Sequence, residues 1–484
     1  MRMWVNGESV ESISGEVIGV TNPATEETVD VVPAGVPADV ERAVVAAKAA
    51  FPGWRSTTAV ERAQLLHQAA AKMRIHFDAL ARLLTLEEGK PVPENEEELD
   101  WSINTLDYYA ELGRHIRGRV IPSPEAGQLN LVLKEPYGVV ACIVPWNYPI
   151  LLSAWKIAAA LAAGNTVVVK PSTLAPLTHL RMVELAFDDL PPGVINVITG
   201  RGDEIGDALV THADVPVIAF TGSTAVGQRI ARLNAGRMKK LHLELGGKDP
   251  FVIADDAPVE MAIEAVCYAA LINAGQVCTS TERLYVSRAM VPQFSELLSD
   301  RISRLRIGPG IESTTDIGPM IGEAERVRVE DHIADAVSKG AKVLIGGRRP
   351  ADFERGYFFE PAVLIDVDHS MRIMREETFG PTIPVMAYDS FDDAIALAND
   401  TEYGLGACLY SHDARKVRQF YEQVRAGTIW INDPLTDNYA GPFGGMKMSG
   451  LGRELGEEGI EEFWQTKHVH WDIDGGYKDY WYPY

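Results

Sequence analysis

Residues able to do covalent chemistry are few in this chain, and one of them is a thiol. The segment NAGQVCTSTER places Cys278 in a Gly/Gln-containing turn between a helical stretch and the strand RLYV, where a thiolate could meet a substrate. The other cysteines have blander settings: Cys142 and Cys408 fall inside apolar strands, and Cys267 on an apolar helix face, the places of small buried hydrophobes. LHLELGGK puts Glu244 at the end of an apolar strand, directly before two glycines that let backbone approach a ligand closely. A carboxylate there is costly unless it is used or paired. VPWNYP sets Asn147, with two amide donors, just after a strand and between Trp146 and Tyr148; an Asn so close to Pro149 also suits a turn or helix cap. Together the three supply a nucleophile, a base and an amide donor, the parts that acyl chemistry needs.

Two further strand ends could hold a ligand. NTVVVKPS finishes on Lys170, at the end of a strand where open α/β sheets bind ligands, although a solvated lysine would fit the same place. IAFTGSTAVGQRI runs a strand into Gly222 and Ser223, with a helix starting near Thr224 whose free N–H groups suit a pyrophosphate. The motif is neither GxGxxG nor a Walker loop, because Gln228 stands where a lysine would be required.

The elements that must position these residues are legible as changes of period. From Pro37 to about Glu88, apolar residues recur at helical spacing, and a further helix is expected from about Pro93 to Arg117. VIPSPEAGQLNLVLKEPYGVV reads as two short strands around a turn. Between Tyr137 and Leu245, β-branched runs alternate with helical ones, the signature of βαβ units on a parallel sheet. A second α/β series begins at FVIAD, with strands RLYV, KVLIGG, AVLIDV and TIPVMAY separated by helices, and runs to GTIWIN. The end, HVHWDIDGGYKDYWYPY, reads as extended.

Composition narrows the classes. The 484 residues carry a formal charge of −23, which argues against binding nucleic acid or an anionic membrane face, since both need basic patches. With 46% hydrophobic residues, bulk disorder is excluded. The cysteines show no CxxC or Cys/His metal spacing, so neither a metal site nor a disulfide framework is expected. The N-terminus lacks a signal-peptide pattern, and the longest apolar stretch, Ile150 to Ala163, contains Lys156 and is too short to span a bilayer. The expected setting is cytoplasmic.

In series, TNPATEE, VPWNYP, VVVKPS, FTGSTAVG, LELGGK, GQVC, EETFGP and PFGGMKMSGLGRE cover the chain from residue 21 to 454. In order and spacing they resemble the NAD(P)-dependent aldehyde dehydrogenases of the hydrolytic type. The resemblance implies an α/β fold: a Rossmann-like cofactor domain (1–117 and 138–247), an α/β catalytic domain (248–448) and a small β oligomerisation extension with the tail (118–137 and 462–484). It implies that Cys278 attacks the aldehyde carbon, that Asn147 and the Cys278 N–H hold the oxyanion, and that Glu244 activates the water releasing the acid. Glu454 matches a second carboxylate that relays protons from Glu244. The cofactor would be held by Val144, Pro145, Trp146, Lys170, Ser172, Thr173, Gly202, Gly222, Ser223, Leu245, Glu377 and Phe379. Many NAD-preferring members have glutamate where this chain has Thr173; losing that carboxylate lifts its repulsion of a 2′-phosphate, so NAD with NADP tolerance is expected.

The aldehyde tunnel would be lined by Trp101, Tyr148, Leu152, Trp155, Ile272, Val277, Thr279 and Phe443. Such rings fit aliphatic or aromatic aldehydes, a betaine aldehyde through cation–π attraction, or packing alone. Asp100, Asp433 or Asp437 near the mouth would attract an aminoaldehyde. No arginine among these positions counts against succinate semialdehyde. GQVCTSTER is similar to small hydroxyaldehyde members, which keeps that class open. A CoA-acylating enzyme or a non-catalytic structural descendant is the alternative. A homodimer or a tetramer of dimers is expected, with the aromatic tail Gly475 to Tyr484 packing on a partner or over a tunnel mouth.

Overall fold

Val- and Ile-rich runs of five residues are too short for stable helices and, when buried on both faces, order as parallel strands. Val139–Ile143, Thr166–Lys170 and Val217–Thr221 do so here, and Lys240–Glu244, half-buried at its start, pairs parallel with the last of them. In this computed structural model, which describes residues 1–482, they belong to an eight-stranded sheet. Its order is Gly450–Leu451, Lys240–Glu244, Val217–Thr221, Val139–Ile143, Thr166–Lys170, Ile195–Val197, Met3–Val5, Glu8–Val10. Side-chain alternation builds two cores: Val140, Cys142, Val167, Val169 and Ala219 pack on one face, and Val139, Ala141, Val168, Ile218 and Phe220 on the other. From Val139–Ile143 the chain winds outward in both directions. The switch between that strand and Val217–Thr221 opens a crevice at their C-terminal ends.

A second sheet of seven strands has the order Lys342–Ile345, Ala362–Ile365, Thr382–Tyr388, Thr281–Ser287, Asp249–Ile253, Gly406–Tyr410, Thr428–Ile431. Here the structure corrects one expectation. No helix separates Lys342–Ile345 from Ala362–Ile365; the two pair antiparallel, and antiparallel neighbours need no crossover. Gly346 and Gly347, both at positive φ, break the chain directly after the first of them.

The N-terminal segment holds strands that the sequence reading passed over. Met3–Val5 and Glu8–Val10 form a hairpin through Asn6 and Gly7, at φ 57° and 79°. An Asn-Gly pair with both residues at positive φ is the strongest short hairpin signal. Trp4 pairs with Val197 and extends the first sheet. The helix expected from Pro93 spans Val92–His115. Arg119–Ile121, Gln128–Pro136 and Trp464–Asp472 make a separate three-stranded sheet, on which Val120 and Trp471 are exposed. Among the described residues no helix is long and apolar enough to cross a membrane. The last two residues of the aromatic tail lie outside the described residues.

Candidate active site

Cys278, Asn147, Glu244 and Lys170 sit at or just beyond the ends of regular elements. Cys278 follows a turn, Ile272–Gly275, in which Asn273, Ala274 and Gly275 all have positive φ. Such backbone is costly for residues with a Cβ and persists only where its surroundings over-determine it. Polar side chains do that here. The Asn273 N–H donates to Glu94 Oε2 (2.9 Å), its Nδ2 to the Asn147 carbonyl (3.0 Å), and Gln276 Oε1 accepts from the Ile321 N–H (3.0 Å). The Asn147 amide donates to the Gln276 carbonyl (3.1 Å), tying the end of the Val139–Ile143 strand to the Cys278 loop.

Beneath Asn147 lies a buried ionic network. Lys90 Nζ pairs with Glu98 (2.5 Å) and Glu88 (3.2 Å) and donates to the Asn147 carbonyl (3.2 Å). Glu98 Oε1 in turn accepts the Ile150 and Leu151 N–H groups in the first turn of the Pro149–Ala162 helix. A carboxylate at that end is favoured by the free N–H groups and the helix dipole.

Two cavities meet at this point. The first, of about 620 Å³, opens at the C-terminal ends of the central parallel strands. Val144, Pro145, Trp146, Lys170, Ser172, Thr173, Gly202, Gly222, Ser223, Leu245, Glu377 and Phe379, the positions assigned to a cofactor from sequence, all line it. Lys170 is buried, its ammonium donating to the Pro171 carbonyl (3.0 Å), and desolvation pushes its pKa down to about 8. Ser223 caps the Thr224–Asn234 helix. Trp146 and Phe379 meet edge to face at 5.5 Å. Glu377 accepts from the Gly247 N–H (3.0 Å), and burial raises it to about 7. A crevice with a desolvated, carboxylate-free cation and a helix N-terminus fits a dinucleotide, with the N-terminus suited to its pyrophosphate and the ammonium to its ribose hydroxyls.

The second cavity is narrow and lined by Trp101, Tyr148, Leu152, Trp155, Ile272, Val277, Thr279 and Phe443, the positions expected for the aldehyde. Asn147, Leu152 and Cys278 line both cavities. Four carboxylates, Glu94, Glu97, Glu98 and Asp437, join the second lining, with no lysine, arginine or histidine among the described residues. Of the three aspartates proposed for the mouth, the lining includes Asp437 alone. Asp100 is exposed and accepts a hydrogen bond from Asn104 (2.9 Å), turned away on its helix, and Asp433 lies outside the lining though near Tyr268. Asp437 pairs with no donor among the described residues, and desolvation raises its carboxyl to about 7.

Glu244 ends its strand fully enclosed, with neither carboxylate oxygen hydrogen-bonded and a would-be Cβ at Gly444 only 2.7 Å from Oε1. It lines neither cavity. Burial and then the nearby Glu454 push its pKa well up, while Lys156 and Arg453 oppose them. Glu454 forms a buried ion pair with Lys156. The Cys278 thiol is likewise pushed up, first by burial and then by Asp249, Glu244, Glu377 and Asp437. As it stands the site holds a neutral thiol ringed by carboxyl groups, which a positively charged ring in the first cavity would help to ionise.

Sequence reading missed Tyr268 and the acidic lining residues of the long helix. The signal existed: Glu94, Glu97, Glu98 and Trp101 follow the spacing of one helix face, and Tyr268 lies one turn before Ile272.

A family model described as the aldehyde dehydrogenase family matches residues 9–469. The chain is 41% identical over 466 residues to the succinate-semialdehyde dehydrogenase [NADP(+)] of Escherichia coli, covering 96% of each chain. It is 38% identical over 473 residues to the betaine aldehyde dehydrogenase of Bacillus subtilis, covering 97% of this chain and 96% of the other. The crystal structure of betaine aldehyde dehydrogenase from Staphylococcus aureus in complex with NAD+ superposes with a TM-score of 0.97 at 38% identity, covering 99% of this chain and 96% of that one.

Proposed function

Because this chain belongs to the aldehyde dehydrogenase family, and so oxidises an aldehyde to the carboxylic acid with NAD(P)+, we propose which residues do the work and which aldehydes it takes. Cys278 is the nucleophile, Asn147 and the Cys278 N–H hold the developing oxyanion, and Glu244 is the general base. What supports this reading is that Asn147 and Cys278 stand where the two cavities meet. The nicotinamide, when bound in the larger cavity, supplies the oxidant. Lys170, Ser223 and Glu377 hold and orient that cofactor, and Thr173 leaves room for either form. The protein's own part is to ionise Cys278, carry the acyl group as a thioester on its Sγ, and resolve that thioester with water deprotonated by Glu244.

The substrate is a cationic aldehyde, of the amino or trimethylammonio class. The observation that carries this is the lining of the second cavity: carboxylates and aromatic rings with no basic group. An ammonium entering there meets the Asp437 carboxylate beside the rings of Trp101 and Tyr268, while the Tyr148 ring already has the Lys90 ammonium 3.8 Å from its centroid. A substrate carboxylate would meet like charge, and the Lys90 ammonium over the Tyr148 ring is already paired with Glu88 and Glu98. The succinate-semialdehyde relative is therefore a guide to the reaction rather than to the substrate. The test is the rate of reduced cofactor formation with matched cationic, neutral and anionic aldehydes, with Cys278→Ala as control. A higher kcat/KM for the cation than for the anion, lost with Cys278→Ala, is expected; preference for the anion overturns the assignment.

The cofactor unit is formed by 1–117 and 138–247, the catalytic unit by 248–448, and 118–137 with 462–484 form an extension that pairs two copies of the chain. Exposed Val120, Ile121, Leu133 and Trp471 on the small third sheet support a homo-oligomer, because a sheet of so few strands needs a further surface to bury its apolar side chains. Light scattering of the chain against Trp471→Glu checks this.

A further inference from the structure

Oxidising an aldehyde to a carboxylate with one NAD(P)+ and one water releases two protons. Glu244 is sealed from solvent at 3% exposure, so a proton it takes must be handed on. On the Lys240–Glu244 strand, Lys240, His242 and Glu244 alternate onto one face. His242 is itself buried at 1% exposure, with both ring nitrogens lacking a hydrogen-bond partner among the described residues. An unpartnered buried imidazole is costly, and nothing in the cofactor or aldehyde cavity uses it.

The neighbours of this ring form a line from the site to the surface. His242 Nε2 lies 4.0 Å from Glu454 Oε1, the carboxylate paired with Lys156 beside Glu244. Gly452 lies against the Cδ2 edge of the ring: a Cβ added there would stand 2.8 Å from His242 Cδ2 and 3.1 Å from the Glu462 carboxyl carbon. Imidazole and carboxylate thus border the same space, which a side chain at Gly452 would fill. Glu462 pairs with Lys240 (2.6 Å), whose side chain is 36% exposed. The other charged or titratable groups facing this line are Arg453 and, beyond Glu454, the Tyr109 hydroxyl; Phe463 packs edge-on against the ring.

We propose that His242 carries protons from the catalytic base to solvent, through Glu454 on the inner side and Glu462 on the outer. The inference rests on Glu244 being the base. The Glu454 O–H bond breaks as the proton passes to Nε2, and the Nδ1–H proton leaves toward Glu462 and then water, so the ring ends neutral in the opposite tautomer and a ring flip restores the first before the next turnover. Burial, with Lys156, Lys240 and Arg453 nearby, disfavours the imidazolium, which suits a hand-through better than storage of charge.

Stopped-flow measurement on the full-length enzyme tests this, following reduced cofactor and, with an indicator dye in weak buffer, released protons. In the unmodified enzyme proton release should keep step with catalysis. With His242→Gln, which fills the space and cannot titrate, the reduced-cofactor burst should survive while proton release and turnover slow by about tenfold or more. Added imidazole buffer should restore the rate. Glu462→Gln, at the outer end, should act in the same direction and supplies the test if His242→Gln does not fold. Unchanged proton release in a folded variant overturns the proposal, as does slowing that no buffer rescues, because a structural defect would not respond to a soluble base. Glu244→Gln separates the premise: if that variant still hydrolyses its thioester at the normal rate, the base assignment fails regardless of His242.

Discussion

Replacing Asp437 with asparagine should change which aldehydes the enzyme prefers while leaving its chemistry intact. The side chain lines the narrow cavity, keeps its shape as an amide, and pairs with no donor among the described residues, so the substitution breaks no internal bond. What it removes is a carboxylate able to accept a charge-assisted hydrogen bond from a substrate ammonium. Such bonds contribute about 1.5–3 kcal/mol, which corresponds to a fall of about 10- to 150-fold in kcat/KM. A neutral aldehyde of the same length should change by less than about twofold, since it never used the charge. The pH dependence adds a second arm. Desolvation holds the Asp437 carboxyl at about 7, so it is largely protonated and neutral below that pH and becomes a carboxylate above it. In the unmodified enzyme KM for the cationic aldehyde should therefore fall as pH rises through about 7, and in Asp437→Asn that inflection should disappear. Steady-state kinetics of reduced cofactor formation across pH 6 to 9, with one cationic and one neutral aldehyde, decide it. Equal losses for both aldehydes, or an inflection that persists in the variant, would refute the reasoning.

Glu244→Gln should keep a burst of about one reduced cofactor per site and lose about 10²- to 10⁴-fold in steady turnover, because the step proposed for Glu244 is thioester hydrolysis; rapid mixing with cofactor absorbance measures both. Thr173→Glu should lower the NADP efficiency relative to NAD by about thirtyfold, since a carboxylate at that wall of the cofactor cavity repels a 2′-phosphate by about 2 kcal/mol or more; the ratio of the two kcat/KM values reads it directly. Lys90→Met should destabilise the fold by about 3–5 kcal/mol by leaving Glu88 and Glu98 buried without their cation. Denaturant unfolding monitors the loss, and the variant should also turn over more slowly, since Lys90 holds the Asn147 carbonyl.

Local sequence determined a great deal. Strand ends, helix caps and turn glycines are short-range features, so LHLELGGK, NTVVVKPS and GQVCTSTER fixed where Glu244, Lys170 and Cys278 stand on their own elements. The Asn-Gly hairpin at residues 6 and 7 is an equally local signal. Four residues of the long helix share a face by spacing alone. What spacing cannot supply is which face meets which, because that depends on how separate sheets pack. Asp100 and Asp437 look alike as acidic residues near aromatic ones, yet the first turns to solvent and the second into the cavity. The meeting of two cavities at Asn147 and Cys278, 131 positions apart in the chain, is likewise a tertiary fact. So is the burial that moves the site's titratable groups: desolvation is set by everything packed around Glu244, Cys278, Lys170 and His242, and a linear sequence contains no density.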